Sequence, residues 1–436
     1  MLRVVPHPAA GGPVRLFRIA KDSAGLILML SMLLLFSSKS LPNIPAGIMA
    51  LLGFYWFLAA PRLYWANPLF RLLLALFASL WLPMVFSLVD AVNTERAAAT
   101  TWPYVRFLGM GVFVLHESRK PDLWPKLNLG AFIIITFWCA DALLQFFCGW
   151  ELLGYPAAPG TIYGVFYPEI TLGHVVAALS PLYFHVVYTN RKRWPWLWIL
   201  LIPLTMVVVL SARRAAWIML VVSMAGYAGF WWRSAADQQR LPRRFAALGA
   251  VLALVAVLTV LGDASLRHRI QVTLGLFSGD YATMNEATAS RLNLWSTAGN
   301  IIQAHWLNGI GPRGYRYVYT QYSAEDDPFH VEGQTHPHQL VLEVWSETGL
   351  IGLAGLGVFC VVSFRFLRKN ALGCVLFPGC LCVISATFPL NTHMAFYGSY
   401  WSSLVWWLIL LALGGAAFEL EGRKSPAVVV GRAAST

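Results

Sequence analysis

Charge is what this chain has least of: only 12% of its 436 residues are Asp, Glu, Lys or Arg, while 58% are hydrophobic. A soluble domain carries about 25% charge over about 45–50% apolar residues. With half that charge, a water-exposed surface cannot be covered, which excludes a soluble multidomain enzyme and an intrinsically disordered chain. The mean hydropathy of +0.61 agrees. Cysteine is also sparse. Cys139, Cys148, Cys360, Cys374, Cys380 and Cys382 sit in or beside apolar runs with no CxxC pair, so they read as small buried hydrophobes rather than metal ligands. Walker and HExxH patterns are missing, as is any fixed-period repeat. No cleavage site follows the first apolar run, so that run is expected to stay as a span.

What is present is a series of long apolar stretches. A spanning helix needs about 20 mostly apolar residues, and about twelve runs qualify: 24–38, 44–60, 69–89, 102–116, 128–148, 170–188, 195–211, 214–232, 244–262, 340–364, 372–389 and 396–417. The fold class expected is therefore all-α, a polytopic integral membrane protein. With the amino terminus inside and the spans alternating, inner segments hold about 22 of the 32 Lys and Arg residues, a clear positive-inside bias. This organisation places spans one to nine in 1–262, an outer loop carrying short helices in 263–339, spans ten to twelve in 340–417 and an inner tail in 418–436. The net charge of +12 is then a matter of membrane topology and calls for no nucleic-acid partner.

The basic residues left on the outer side run against that bias: Lys39, Arg96, Arg106, Arg213, Arg214, Arg267, Arg269, Arg291, Arg313 and Arg316. Arg213 and Arg214 interrupt two apolar spans, in Leu210-Ser211-Ala212-Arg213-Arg214-Ala215-Ala216-Trp217. Charge at membrane depth is costly, so it marks a functional site unless the side chain merely snorkels to lipid phosphate. A guanidinium suits a diphosphate because its planar fork donates two parallel, charge-assisted hydrogen bonds. The outer loop of about 75 residues is far longer than an ordinary connection. Ser290 is expected to cap a helix there, carrying Arg291 at its start and Leu292, Trp295, Gly299 and Ile302 on one face. The turn Gly309-Ile310-Gly311-Pro312-Arg313-Gly314 is either an anion-facing nest of backbone amides or a plain reversal. At Thr335-His336-Pro337-His338-Gln339, Pro337 is expected to start the tenth span. That puts His338 in the first helical turn, as a neutral general base or as a helix-capping side chain. Glu343 and Glu347 continue a polar stripe, and Glu325-Asp326-Asp327 reads as a solvated acidic turn rather than a metal site.

In this order and on this topology, the constellation resembles the bacterial O-antigen ligase / O-antigen polymerase superfamily over roughly residues 205–355. The Ser-Ala-Arg-Arg segment, the Ser290-Arg291-Leu292-Asn293-Leu294-Trp295 helix with His305-Trp306-Leu307-Asn308-Gly309-Ile310-Gly311, and His336-Pro337-His338-Gln339 through Glu347-Thr348-Gly349-Leu350-Ile351-Gly352 carry the likeness. Trp306 stands where the family usually has proline, and Gln339 where it has asparagine. The resemblance implies transfer of a glycan from an undecaprenyl-diphosphate-linked donor to the lipid A–core acceptor at the outer face of the bacterial inner membrane. It needs no cofactor and no metal. It implies His338 as general base, Arg214 and Arg291 on the diphosphate, and Arg213, His336, Arg267, Arg269 and Arg313 as further substrate-binding residues. Polymerase and protein O-oligosaccharyltransferase are the nearest alternatives. A secondary transporter fits less well, because such proteins tend to put their long loop inside, mid-chain.

Overall fold

Helices start where short polar side chains or proline replace the amide bonds a first turn lacks. Asn67 Oδ1 accepts from Leu69 N (2.9 Å) ahead of Pro68, Asn93 Oδ1 from Arg96 N (2.8 Å), and Asp263 Oδ1 from Leu266 N (2.9 Å). The computed structural model describes residues 13–120, 122–157, 160–234, 241–369, 376–388 and 394–424. Its helices are α1 (Pro13–Leu35), α2 (Asn43–Ala59), α3 (Pro61–Ala66), α4 (Pro68–Phe86), α5 (Thr94–Thr101), α6 (Arg106–Glu117), α7 (Leu123–Cys148), α8 (Leu172–Thr189) and α9 (Leu201–Leu210). There follow α10 (Arg214–Ser234), α11 (Leu241–Gly262), α12 (Ala264–Leu274), α13 (Tyr281–Ala287), α14 (Arg291–Ala304), α15 (Tyr315–Tyr322), α16 (Leu340–Lys369), α17 (Leu376–Thr387) and α18 (Ser399–Lys424). The protein is all-helical, as expected, with one isolated bridge between Trp150 and Pro156 among the described residues.

Each apolar run falls on a helix, but the lengths differ. Among the described residues six helices (α4, α7, α8, α10, α16 and α18) are long and apolar enough to cross a membrane, and α11 with α12, bent by 105°, gives a seventh. The other runs form shorter helices, so a count of about twelve crossings exceeds what length and composition alone support. The run 102–116 is one such case: Pro103 opens a 3₁₀ turn, and the α-helix begins only at Arg106. Cys374 and Arg240 lie outside the described residues, as do the first residues of the amino-terminal basic stretch and the tail beyond Lys424.

Two glycines set the closest packing. A Cβ on Gly53 of α2 would collide with the Gly109 carbonyl of α6, so these helices meet backbone to backbone, as small residues permit in lipid. Around them α18 is buried almost throughout, and its Trp401, Trp406 and Trp407 are among the largest fully enclosed side chains. The 262–340 segment is a compact cap. α12 turns off α11, α14 and α15 share a second apolar core through Leu294, Ile301, Tyr315 and Tyr319, and Tyr315 Oη donates to Leu294 O (2.8 Å). α14 buries Leu294, Ala298 and Ile301 at the centre of its inner face, whereas Leu292, Trp295 and Gly299 sit at its half-buried edge.

Candidate active site

The arginine turn is built by a left-handed residue. Ser211 Oγ donates to Val208 O (2.7 Å), Ala212 adopts φ 55°, and α10 begins at Arg214 with Trp217 Nε1 donating to Val208 O (3.1 Å). The segment 160–166 lies against this turn: Gln145 Oε1 of α7 accepts from Tyr163 N (2.8 Å), and Thr161 Oγ1 donates to Ser211 O (3.1 Å). Arg214 Nη1 reaches across to Ala287 O and to Thr273 Oγ1 (3.3 Å), tying the span to the cap.

Opposite, Ala289 (φ 57°) and Ser290 (φ 58°) turn the chain into α14 and project Arg291. Ser290 precedes α14 as expected, but its side chain caps nothing. The His-x-His segment also departs from expectation. α16 starts at Leu340, not at Pro337: Gln339 Oε1 accepts from Leu342 N (2.6 Å) and does the capping, while His338 sits before the helix at φ 55°. A non-glycine residue held left-handed is strained, and such strain gathers at functional sites. The His336 and His338 rings lie 3.9 Å apart, and Pro337 O accepts from Trp295 Nε1 of α14 (3.1 Å).

These elements enclose a cavity of about 210 Å³ lined by Arg213, Arg214, Arg269, Arg291, His336 and His338, with His174, Met394 and small apolar residues completing the wall. No Asp or Glu lines it. Arg213 Nε is buried with no hydrogen-bond partner. Burial, then the charges of Arg214 and Arg213, push Arg291 down to about 10; burial and then Arg269 lower Arg213. Guanidinium groups crowded this way without a carboxylate repel one another and favour an anion as partner. An apolar cavity of about 480 Å³ lies between α9, α10 and α11, and its wall includes Ile270, which follows Arg269 of the cationic site in α12, and Trp217, two residues beyond Ala215. Among the described residues no group of three or more His, Cys, Asp or Glu is placed to hold a metal ion.

Two expected residues are elsewhere. Arg267, two positions from Arg269, turns away to donate to Leu261 O, because residues two apart on a helix face nearly opposite sides. Arg313 stands on the far side of Met394. The glycine-rich turn before it does not face an anion. Ile310 N and Gly311 N donate to Ser346 O (3.1 Å) and Glu347 O (2.9 Å), and Arg313 N donates to Glu347 Oε2 (2.6 Å). These bonds seal a break in α16 at Gly349 (φ 66°), where Leu350 N and Ile351 N return to Trp306 O and Leu307 O. Glu343 is likewise structural, accepting from Phe396 N (2.9 Å) and Tyr397 N (3.1 Å). His174 was not anticipated, although a histidine inside an apolar span is itself a signal.

A helical, multi-pass membrane protein that gathers arginines and histidines in an acid-free cavity is, in class, suited to anionic substrates. Residues 198–357 match the model of the family described as O-antigen ligase, and the matched stretch holds all of the cavity's arginines together with His336 and His338. No curated protein gives a significant match to the chain.

Proposed function

We propose that the protein transfers O-antigen polysaccharide from undecaprenyl diphosphate to lipid A–core on the periplasmic face of the inner membrane. The observation that carries this reading is the gathering of Arg213, Arg214, Arg269 and Arg291 with His336 and His338 in one cavity without acidic side chains. A diphosphate supplies the missing charge, and the adjoining apolar cavity suits the start of a polyprenyl chain. The acceptor hydroxyl oxygen forms a bond to the anomeric carbon as its proton passes to His338. The bond from that carbon to the diphosphate oxygen breaks, and its electron pair stays on the diphosphate, stabilised by Arg214 and Arg291. Direct attack of this kind inverts the anomeric centre. His336, whose ring lies tilted 3.9 Å from that of His338, holds the base in place. Residues 263–339 face the periplasm and 418–436 the cytoplasm in this reading.

The lipopolysaccharide gel of a deletion strain tests it. Bare lipid A–core is expected; core carrying one repeat unit would assign a polymerase, and an unchanged pattern would overturn both.

A further inference from the structure

A second basic cavity lies beyond Met394, which lines both. It measures about 370 Å³, and Arg96, Arg106, Arg313 and Lys39, the last ion-paired with Glu169, line it together with hydroxyl groups such as Thr100 and Ser399; no Asp or Glu lines the cavity itself. Arg313 is only 8% exposed, yet its Nε and Nη1 have no hydrogen-bond partner. Arg106 Nε is buried and unpartnered too, while its Nη2 donates to Ser403 Oγ (3.2 Å). The nearby carboxylates of Glu343 and Glu347 attract Arg313 but hold backbone amides, and neither forms an ion pair with it. A guanidinium enclosed with free donors is stabilised by an anion brought from outside. The frame around it is rigid: Glu347 fixes the Arg313 turn and Glu343 fixes residues 396–397, both from α16 just after His338.

We propose that this cavity is a second anion site, which binds a phosphate group on the sugar head of the acceptor glycolipid. The anion site follows from the cavity itself; that its occupant is the acceptor rests on the transfer reading. The first cavity holds the donor diphosphate, and a second substrate must reach the same anomeric carbon from beside it. The shared Met394 wall puts the two charged groups on either side of the reaction centre.

The test uses the full-length protein in nanodiscs of uncharged lipid. Binding of lipid A–core is measured before and after its phosphates are removed, and inorganic phosphate is titrated separately. Wild type should lose at least about tenfold in affinity when the glycolipid is dephosphorylated. Arg313→Gln and Arg106→Gln should each lose about as much for the phosphorylated form, with no further loss on dephosphorylation. Because Arg313 is buried, Arg96→Gln at the exposed rim provides a variant that spares the interior, expected to weaken binding severalfold. In turnover, all three should raise the acceptor KM while leaving the donor KM and kcat near wild type. Equal binding of phosphorylated and dephosphorylated acceptor, or inorganic phosphate that binds without competing with the glycolipid, would overturn the proposal. Phosphate-dependent acceptor binding without any transfer would uphold this site and sink the proposed reaction instead.

Discussion

The two basic cavities meet at Met394 but are made from different parts of the chain. The histidine-bearing one draws its arginines from a turn between spans and from the cap, all within residues 213–291: Arg213, Arg214 and Arg291 stand at turns or helix starts and Arg269 in the middle of α12. The other draws Lys39, Arg96 and Arg106 from the first third of the chain and adds Arg313 from the cap. The difference teaches that chemistry and reception are separable here. Only the first cavity has histidines, the side chains suited to proton exchange near neutral pH, whereas cations and hydroxyls line the second.

That contrast is breakable by mutation, and the largest effect is expected at the diphosphate. Arg214→Lys and Arg291→Lys keep the charge but lose the planar fork, and each should cost on the order of 10²-fold in turnover. Arg106→Lys in the other cavity should leave kcat unaltered. Lysine variants that turn over at the wild-type rate would erase the distinction.

A pH series sharpens the same comparison. Arg291, pushed down to about 10, stays charged at neutral pH and loses its proton as pH rises through that value. Donor affinity should therefore hold from neutral pH and fall near pH 10, and Arg291→Gln should remove that fall. Donor binding with the same alkaline decline in the variant would place the titrating group elsewhere.

Stability separates scaffold from site. At Gly349 the backbone conformation is open essentially to glycine alone, and a Cβ would strike the Leu307 carbonyl. Gly349→Ala should destabilise the protein by about 2 kcal/mol or more, read as a lower unfolding temperature without a selective change in either substrate's KM. Arg213→Gln should act oppositely, raising the melting temperature of the unliganded protein slightly by relieving like-charge crowding while weakening donor binding.

The smallest effect belongs to Arg267. It lies outside both cavities, so Arg267→Ala should stay within about twofold of wild type in turnover, the range of an ordinary surface change.

These expectations track how much of the molecule was legible beforehand. The helical architecture was, because long apolar runs dominate the chain. Of the ten basic residues assigned to the outer side by charge alternation, Lys39, Arg96, Arg106, Arg213, Arg214, Arg269, Arg291 and Arg313 line the two adjoining cavities. Side-chain direction was not legible: Arg267 and Arg269 differ only in which face of α12 they occupy. The helix start differs from the expectation at Pro337 because a side chain, Gln339, accepts from the free Leu342 amide and leaves His338 outside the helix. The glycine turn showed its flexibility in sequence but not its partner, since a break in α16 forty residues on is invisible locally. His174 sat unnoticed in a buried apolar helix. No local pattern linked Arg313 to Lys39, Arg96 and Arg106, because only the packing of distant helices joins them.

The central claim is that His338 takes the acceptor's proton in a cavity whose arginines hold the donor. Purified His338→Ala should bind the lipid-diphosphate donor as wild type does, yet transfer its glycan about 10²–10⁴-fold more slowly, as loss of a general base does. His336→Ala, retaining the base, should be milder. The assay is run across pH with chelator present. Near-normal turnover by His338→Ala would contradict the account, and abolition of wild-type activity by chelator would assign the chemistry to a metal instead.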